Sequence, residues 1–512
     1  MNYSPKTSMK LLALIDKLEL KLEVQGRERL LQLNTVIEHL TLDSRDATHG
    51  SLFFAVPGTS LDGRNFIGSA IEQGASAIFI ESATDKVFEI TWHNDTPLIE
   101  IPNLTKRLSE IVGYFYSNSS LEMKCIGITG TNGKTTTSQL VAMWVSLLNQ
   151  KAAVMGTIGN GLFGELTASN NTTPSALDIQ FNLSKYNDLG AALCAMEVSS
   201  HGLVQHRVES ICFDAVAFLN LSRDHLDYHG TMIEYEAAKF RLFNELSSQH
   251  KIINIDDAIG ERWFKLFPEA TAVSLEFEKF SKTVTSNFVF AKSIHYHQNG
   301  ADIELVSSYG KARITSQLLG EFNVTNLLSA MAILLSIGYE FDKLVSVVHL
   351  LKPVAGRMEV FAKPNKATVV VDYAHTPDAL EKALLALTIH QTGKLWCVFG
   401  CGGDRDKGKR PLMAAIAEQY ADKVIVTDDN PRTENNTEIT KDIEQGFLGT
   451  HYHVIHDRTD AIIYALNHAQ ANDIVLIAGK GHEDYQIIGH KKLDYSDRVL
   501  VSQLYDNKVG LA

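Results

Sequence analysis

Basic side chains are in the minority in this chain. Its 512 residues include 47 lysines and arginines against 60 aspartates and glutamates, for a formal net charge of −13. A general nucleic-acid binder presents a basic surface, so this balance argues against that class of protein. Local basic sites that hold phosphate groups remain compatible with it.

Cysteine and long apolar runs are also scarce. The five cysteines, at an odd count and without regular spacing, indicate reduced thiols and a cytoplasmic protein. Cys397 and Cys401 are better interpreted as a strand and a loop residue than as metal ligands, because no second pair exists. No apolar run approaches a membrane span, and the charged start of the chain predicts a short amphipathic helix rather than a signal peptide. We expect no membrane partner and a monomer.

Short apolar strands, each followed by a polar or glycine-rich loop and then a helix, are the dominant pattern. This order is typical of an α/β fold with mostly parallel sheets. A polar stretch near Asn118 and a hinge near Lys352 divide the chain into three predicted domains, 1–118, 119–350 and 351–512. The predicted strands lie at 51–58, 75–82, 124–129, 192–199, 214–222, 251–256, 367–374, 394–400, 423–428 and 473–479.

A glycine-rich loop between a strand and a helix carries the clearest chemistry. It consists of Gly130, Thr131, Asn132, Gly133, Lys134, Thr135 and Thr136. Glycines let backbone N–H groups close around phosphate oxygens, Lys134 brings a charge to the outer phosphates, and Thr135 can ligate Mg²⁺. The usual P-loop has a glycine six residues before the lysine, where this chain has Ile128. A plain glycine turn before a helix is the alternative, and the strand–loop–helix order argues against it.

Further motifs accompany the shortened loop GTNGKTT in a fixed order between about residues 40 and 500. They are NTTP (171–174), MEVSSHGLVQHRV (196–208), FLNLSRDHLDYHG (218–230), EAAKFRLF (236–243), GEFNVTN (320–326), GRMEV (356–360), DYAHTPDAL (372–380), GCGGDRDKGKRPLM (400–413), DNPR (429–432) and GKGHE (479–483). The set resembles the Mur ligase family, whose members form amides through acyl phosphates. The resemblance implies a small α/β N-terminal domain, a central P-loop ATPase-like parallel-sheet domain and a C-terminal Rossmann-like domain. It also implies ATP and Mg²⁺ as cofactors and a role in cytoplasmic peptidoglycan precursor synthesis.

The resemblance assigns catalytic roles to residues that are ordinary when taken alone. Glu197 ends a buried strand and suits a magnesium ligand, since hard cations prefer oxygen. His225 resembles the ligand of a second magnesium, although a surface loop histidine is the simpler interpretation. Lys239 resembles a lysine that carbon dioxide converts to a carbamate, which requires a neutral amine. The implied metal set is Thr135, Glu197, His225 and Lys239, with Lys134 as the remaining catalytic group.

The resemblance also implies binding residues for two nucleotides. Contacts to a UDP-N-acetylmuramoyl-L-alanyl-D-glutamate substrate are expected at Leu42, Ser44, Asn171, Thr172, Thr173, Ser199, Gln205 and Arg207. Contacts to ATP are expected at Asn326, Arg357 and Asp372. Each of these residues also has a purely structural alternative. NTTP (171–174) could be a turn, and Gln205 with Arg207 a solvated edge. Asn326 could be a helix amide, Arg357 a hinge salt bridge and Asp372 a strand-end cap. Some family members have His-Gln-Ala in place of Thr59, Ser60 and Leu61, so the side-chain roles of that loop stay open.

The incoming amino acid should bind to loops that follow strands of the third segment, where ligands of open α/β sheets bind. The predicted residues are Arg405, Asp429, Asn430, Pro431, Arg432, Gly479 and Glu483. A guanidinium at Arg432 matches the second carboxylate of meso-2,6-diaminopimelate with two hydrogen bonds, and Glu483 could take the distal ammonium. DNPR resembles the diaminopimelate-adding members of the family, while a solvated Arg432 after a turn is the alternative.

Three other functions share part of this pattern. Folylpolyglutamate synthetases share the ATP machinery, but the first segment and DNPR argue against them. A P-loop GTPase or motor would leave Asp224, His225 and Lys239 without a role. A non-catalytic relative that only binds the nucleotide sugar would not need Lys134, Glu197 and Lys239 intact.

Overall fold

The structure is a computed structural model that describes residues 7–58, 61–82, 89–169, 171–281, 287–297 and 299–506. Thr59 and Ser60, whose roles the sequence leaves open, lie outside the described residues. The chain forms two compact units. The first consists of residues 1–273, 285–288 and 329–340, and the second of 274–284, 289–328 and 341–512. The three-domain boundaries stay a prediction.

The first unit begins with a five-stranded sheet. Its strands, in spatial order, are His39–Thr41, Ser51–Ala55, Ala77–Glu81, Thr96–Ile101 and Ile90–His93. All neighbours are parallel except the last pair. Apolar side chains such as Phe54, Phe79 and Ile99 on one face of this sheet pack with Ile111 and Phe115 in a buried cluster. The accompanying helices are Leu11–Lys17, Val24–Leu33, Ile67–Glu72 and Leu104–Phe115, with short 3-10 turns at Ser44–Asp46, Gly63–Phe66 and Ser119–Leu121; Met9–Lys10 and Val36–Ile37 form a small antiparallel pair.

A larger sheet in the same unit carries the glycine-rich loop. Its strands run in the order Glu165–Thr167, Asn160–Leu162, Ala152–Met155, Leu193–Glu197, Lys124–Thr129, Phe213–Phe218, Ser248–Asn254 and Thr271–Ser274. From Ala152–Met155 onward the neighbours are parallel, so their carboxyl ends share one edge. The helices of this part are Lys134–Leu147, Ala176–Asp188, Ser200–Val204, Leu226–His229, Met232–Asn244 and Ala258–Leu266.

The second unit contains an antiparallel meander and a six-stranded sheet. The meander consists of Phe288–His297, Gly300–Ser307 and Gly310–Ser316. The sheet runs Glu359–Phe361, Thr368–Asp372, Ile474–Ala478, Leu395–Phe399, Lys423–Val426 and Tyr452–Val454, and only the first pair is antiparallel. The helices are Phe277–Phe280, Phe341–Val347, Pro377–Thr388, Lys409–Tyr420, Asn436–Glu444, Arg458–His468 and Asp497–Tyr505, with a 3-10 turn at Val348–Leu350 and a hairpin of Tyr485–Ile488 and Lys491–Asp494. One more helix, Glu321–Ser336, has residues in each unit.

Both faces of this six-stranded sheet are covered, as its nearly continuous apolar strands require. Val370, Cys397 and Leu476 belong to one buried cluster, whereas Val369, Trp396 and Val475 belong to another. Because side chains alternate along a strand, these neighbouring residues point to opposite faces. The predicted α/β class with mostly parallel sheets is thereby confirmed.

Local signals place several helices where the sequence predicts them. The side chain of Thr376 accepts a hydrogen bond from the Ala379 N–H at 3.3 Å and Pro377 opens the helix. Thr231 caps the helix Met232–Asn244 in the same way. In the described part of the chain, no helix has the length and hydropathy needed to cross a membrane.

Candidate functional site

The glycine-rich loop joins the strand Lys124–Thr129 to the helix Lys134–Leu147. Gly133 occupies the N-cap position at φ +87°, a left-handed conformation that favours glycine, and gives the helix no side-chain cap. The first-turn N–H groups of an uncapped helix are suited to a phosphate anion. The Lys134 ammonium donates to the carbonyl oxygens of Gly130 at 2.8 Å and Thr131 at 2.9 Å, which folds this cation over the loop.

The departure from the usual P-loop at Ile128 has a simple structural cause. Ile128 is fully buried in the central strand and pairs in parallel register with Glu197 and Ala217. It therefore belongs to the sheet, and the turn begins only at Gly130. Asn220, which the sequence analysis missed, closes the other side of the loop: its Oδ1 accepts from the Asn132 N–H at 2.9 Å.

Glu197 ends its strand almost completely buried, at 1% exposure, beside the first turn of the loop helix. Its carboxylate accepts the Thr135 hydroxyl at 2.9 Å, and the Thr157 N–H and hydroxyl at 2.9 and 3.1 Å. The space for this carboxylate exists because residue 156 is glycine, since a Cβ there would lie 2.0 Å from a Glu197 oxygen. Thr157 and Gly156 were not predicted.

The oxygens of Thr135 and Glu197 fit a hard cation such as Mg²⁺. Within the described residues, no group of three or more His, Cys, Asp or Glu side chains converges as a metal site. A magnesium site here would therefore depend on the Thr135 hydroxyl, on phosphate oxygens and on other donors beside Glu197.

Lys239 lies in the helix Met232–Asn244 and is buried, with 1% exposure. Its ammonium donates to the Gly130 carbonyl at 3.0 Å and lies 4.7 Å from the centre of the Tyr235 ring. Burial, followed by the positive charge of Lys134, brings the pKa of Lys239 well below its ordinary value, against a smaller opposing effect of Asp224. A lowered pKa favours the neutral amine that carbamate formation requires.

His225 precedes a short helix in a left-handed conformation at φ +53°. Its Nε2 lies 3.5 Å from an Asp224 carboxylate oxygen. Burial lowers the pKa of His225, Asp224 opposes this, and the charges of Lys134 and Lys239 lower it further. His225 is therefore within electrostatic reach of both lysines, and its role as a magnesium ligand stays a prediction.

Aromatic rings that the sequence analysis did not select surround His225. The His201 ring lies 4.9 Å from that of His225 and 4.1 Å from that of Tyr228, and His229 lies 5.0 Å from Tyr235. Burial, followed by the nearby histidines His225 and His229, lowers the pKa of His201 to about 4. His201 and His229 lie in the family motifs 196–208 and 218–230, but nothing in their spacing indicates which residues they contact.

The residues predicted to bind the muramoyl substrate are connected to Glu197. The Thr173 hydroxyl donates to the Glu197 backbone carbonyl at 2.8 Å and accepts the Ser199 N–H at 2.9 Å. The hydroxyl oxygens of Thr172 and Thr157 lie 3.1 Å apart and share a hydrogen bond. These contacts join Thr172, Thr173 and Ser199 to Glu197 and Thr157.

Arg207 and Gln205 extend this wall. Arg207 donates to Gln205 Oε1 and to the Thr173 carbonyl, and Gln205 donates to the Tyr228 hydroxyl at 3.2 Å. Asn171 is exposed, and Leu42 and Ser44 lie in the five-stranded sheet region, where Ser44 is buried at the start of a 3-10 turn.

In the second unit, Arg357 and Asp372 are brought together beside Tyr373. The Arg357 guanidinium carbon lies 4.5 Å above the Tyr373 ring, and its buried Nε has no hydrogen-bond partner among the described residues. Asp372 accepts the N–H groups of Met358 at 2.7 Å and Ala374 at 2.9 Å. Burial raises the pKa of Asp372 and Arg357 opposes this. The unpaired buried Nε of Arg357 fits an oxygen of a ligand. Asn326 is buried on a helix, and its side-chain amide donates to Asn323 Oδ1 at 3.1 Å.

The loops predicted to bind the amino acid lie at the carboxyl ends of strands in the second unit. Asn430 donates to Glu483 Oε2 at 3.2 Å, and a Cβ at Gly479 would lie 3.8 Å from the Asp429 carboxylate. Arg432, at φ +51°, donates to the Gly403 carbonyl at 2.8 Å, and a Cβ at Gly402 would lie 2.8 Å from Arg432. Arg405 is exposed, and its Cγ would lie 3.7 Å from the same Cβ position at Gly402. Pro431 is buried within the turn.

The chain matches three family models. They are described as Mur ligase family, catalytic domain, over residues 36–116; Mur ligase middle domain, over 128–334; and Mur ligase, glutamate ligase domain, over 356–481.

Solved structures with the same fold include a UDP-N-acetylmuramoyl-L-alanyl-D-glutamate–2,6-diaminopimelate ligase. It is 36% identical, covers 98% of this chain and 99% of its own, and has a TM-score of 0.70. A UDP-N-acetylmuramoylalanyl-D-glutamyl-2,6-diaminopimelate–D-alanyl-D-alanyl ligase from Acinetobacter baumannii is 16% identical, covers 94% and 97%, and has a TM-score of 0.63. A folylpolyglutamate synthase from Mycobacterium tuberculosis is 16% identical, covers 74% and 92%, and has a TM-score of 0.56. The last two share the fold.

Proposed function

This chain belongs to the Mur ligase family, and on that premise we propose that it is an ATP-dependent, ADP-forming ligase that adds meso-2,6-diaminopimelate to UDP-N-acetylmuramoyl-L-alanyl-D-glutamate. The observation that carries the proposal is the 36% identity, over 98% of the chain, to a ligase named for these two compounds. The product would be a muramoyl tripeptide for peptidoglycan synthesis, and hence for cell-wall growth and division.

The reaction has two steps. The D-glutamate γ-carboxylate attacks the γ-phosphorus of ATP, ADP leaves, and an acyl phosphate forms. The diaminopimelate amine then attacks the acyl carbon, inorganic phosphate leaves, and the amine loses a proton. Phosphoryl transfer depends mainly on positioning and charge neutralisation, which is the work of the loop N–H groups and Lys134.

Glu197, Thr135 and His225 are the proposed magnesium ligands of this chain. Bound Mg²⁺ would neutralise charge on the transferring phosphoryl group. Support comes from the hydroxyl of Thr135 at 2.9 Å from the buried Glu197 carboxylate, and from His225 near Lys134 and Lys239.

Lys239 is the proposed site of carbamylation. Its nitrogen would attack carbon dioxide and lose a proton, which gives an anionic carbamate able to join the magnesium ligands. The support is its burial and low pKa next to the Gly130 carbonyl, because only a neutral amine attacks carbon dioxide.

We propose that residues of both units contact the substrates. Thr172, Thr173, Ser199, Gln205 and Arg207 would face the muramoyl dipeptide, with Asn171, Leu42 and Ser44 as further contacts. Asn326, Arg357 and Asp372 are the proposed nucleotide contacts of the second unit, supported by the unpaired Nε of Arg357. Arg432 and Arg405 would bind the carboxylates of diaminopimelate, and Glu483 with Asp429 and Asn430 its ammonium.

We further propose that the protein works in the cytoplasm, as a monomer. The five cysteines are free thiols and four of them are buried, which suits a reducing compartment. Light scattering on the purified chain would test the oligomeric state.

A phosphate-release assay with product mass analysis tests the function. Phosphate should appear only when ATP, Mg²⁺, the muramoyl dipeptide and meso-diaminopimelate are all present, and the product mass should equal one tripeptide. Faster turnover with lysine than with diaminopimelate would overturn the substrate assignment. Release without the muramoyl dipeptide would overturn the ligase assignment.

A further inference from the structure

Lys480 is a buried cation that none of the proposed roles uses. It follows the strand Ile474–Ala478 and Gly479, and its side chain has no exposed surface. A buried ammonium is costly unless charged and polar partners surround it. Its partners therefore show what this position is built to hold.

Those partners are residues that we propose bind the amino acid. The Lys480 ammonium lies 3.1 Å from an Asp429 carboxylate oxygen, 3.0 Å from Asn430 Oδ1 and 3.9 Å from Glu483 Oε2. It also donates to the Tyr485 carbonyl at 3.0 Å. The Lys480 ammonium thus lies close to residues of two loops, 429–432 and 479–483.

The contact with Asn430 fixes the direction of its amide. Oδ1 accepts from both Lys480 and the Ile487 N–H, at 3.0 and 2.9 Å, so the NH₂ group must point the other way. There it donates to Glu483 Oε2 at 3.2 Å. Lys480 is therefore linked to Glu483 twice, by charge and through the Asn430 amide.

We propose that Lys480 is a positioning residue that sets the placement and charge of Asp429, Asn430 and Glu483 for binding the ammonium end of the amino-acid substrate. The inference rests on the proposed function. The competing role is purely structural, in which Lys480 only holds the hairpin Tyr485–Ile488 and Lys491–Asp494 through the Tyr485 carbonyl.

The two roles differ in their electrostatic consequences. Burial and the neighbouring Asp429 raise the pKa of Glu483, and Lys480 opposes this. Without the cation, Glu483 should hold its proton to higher pH and lose attraction for an ammonium in mildly acidic solution. The other charged or titratable groups near Lys480 and Glu483 are Arg458, Tyr373, Tyr485 and Tyr495. None of them takes the place of the Lys480 cation beside the carboxylates of Asp429 and Glu483.

The test uses steady-state kinetics of the full chain with three variants. Lys480→Met removes the charge and keeps the volume, and Lys480→Gln keeps a donor for Asn430 without the charge, in case the first variant fails to fold. Asp473→Asn is the matched control. Asp473 is 4% exposed and directly precedes the same strand at its opposite end, where it accepts the Lys394 N–H at 2.7 Å and the Trp396 indole N–H at 3.1 Å.

We expect either Lys480 variant to raise the KM for diaminopimelate about tenfold or more, with the KM values for ATP and the muramoyl dipeptide unchanged. The acid limb of log kcat/KM for diaminopimelate should move to higher pH, and adding Glu483→Gln should remove that shift. Asp473→Asn should lower the melting temperature without a selective change in KM.

The outcomes separate the two proposals. If the parent chain does not turn over diaminopimelate, the proposed function fails and this inference with it. If the parent chain is active and the Lys480 variants keep its KM and pH profile, only the positioning role is overturned. A loss of stability with equal effects on all three KM values would assign Lys480 the structural role.

Discussion

The Lys239 ammonium donates to the Gly130 carbonyl oxygen at 3.0 Å, so a lysine 109 positions away in the chain contacts the first residue of the phosphate loop. Lys134 donates to the same carbonyl at 2.8 Å. Two lysines on one oxygen repel each other, and the buried one carries the lowered pKa. This arrangement turns an ordinary helix lysine into a candidate nucleophile toward carbon dioxide.

Replacing Lys239 should abolish most activity and allow chemical rescue. We expect Lys239→Ala to lower kcat by at least about a hundredfold, because a charge that stabilises the transition state is lost. Formate or acetate in the assay should restore part of it by supplying the missing carboxylate. Lys265→Ala, at a lysine whose side chain is 71% exposed, is the control and should keep full activity. Full activity of Lys239→Ala in buffer stripped of carbon dioxide would contradict the proposal.

A methyl group at position 156 should displace the Glu197 carboxylate. The added Cβ would lie 2.0 Å from a Glu197 oxygen, so that side chain must move away from Thr135 and Thr157. We expect Gly156→Ala to raise the Mg²⁺ concentration needed for half-maximal rate by about tenfold or more. Gly68→Ala is a control, since nothing lies within 4 Å of its added Cβ. Equal Mg²⁺ titrations for the two variants would rule out this role for Glu197.

Arg432 should determine the preference for diaminopimelate. Lysine keeps the charge but lacks the planar fork that binds a carboxylate with two hydrogen bonds. Arg432→Lys is therefore expected to raise the KM for diaminopimelate about tenfold and to narrow the difference between diaminopimelate and lysine as substrates. The exposed Lys441→Ala variant should match the parent chain. Competition between both amino acids, read by product mass, measures the preference directly.

His390 should make the stability of the chain sensitive to acid. It is 2% exposed; its Nε2 accepts the Gly320 N–H at 3.0 Å, and its Nδ1 donates to the His297 carbonyl at 2.6 Å, so the ring is neutral. Burial lowers the pKa of His390 below its ordinary value of 6.5. Below that pH the unfolded chain binds more protons than the folded chain, so stability falls as pH falls.

Thermal unfolding between about pH 5 and pH 8 measures this effect, in the range where histidine titrates. His390→Gln should flatten the decline of the melting temperature on the acid side, although it lowers stability at neutral pH. His451→Gln, at an exposed histidine, should keep the slope of the parent chain. An unchanged slope in His390→Gln would show that other groups cause the acid sensitivity.

Each of the ten strands predicted from sequence corresponds to a strand of the structure, but more than half of the strands in the described residues were not predicted. The predicted strand 124–129 agrees with Lys124–Thr129 at both ends, and 473–479 contains Ile474–Ala478. The prediction contains no strand between residues 256 and 367, where the structure has Thr271–Ser274 and the meander from Phe288 to Ser316. The meander strands have mixed, partly exposed residues, so they lack the continuous apolar runs that mark a parallel sheet.

The glycine-rich loop, the DNPR turn, the α/β class and the chemical types of the site residues follow from sequence alone, because strand–loop–helix order and residue spacing are local properties. The family was recognisable from the order of its motifs. Tertiary structure decided which groups are buried and which meet. Gly156 and Glu197 are 41 residues apart in sequence, and Lys239 and Gly130 are 109 apart. Lys480 contacts Asp429 and Asn430, which are 51 and 50 residues away. Local patterns carry no information about such pairs, because burial, pKa and orientation depend on neighbours that only the folded sheet edges bring together.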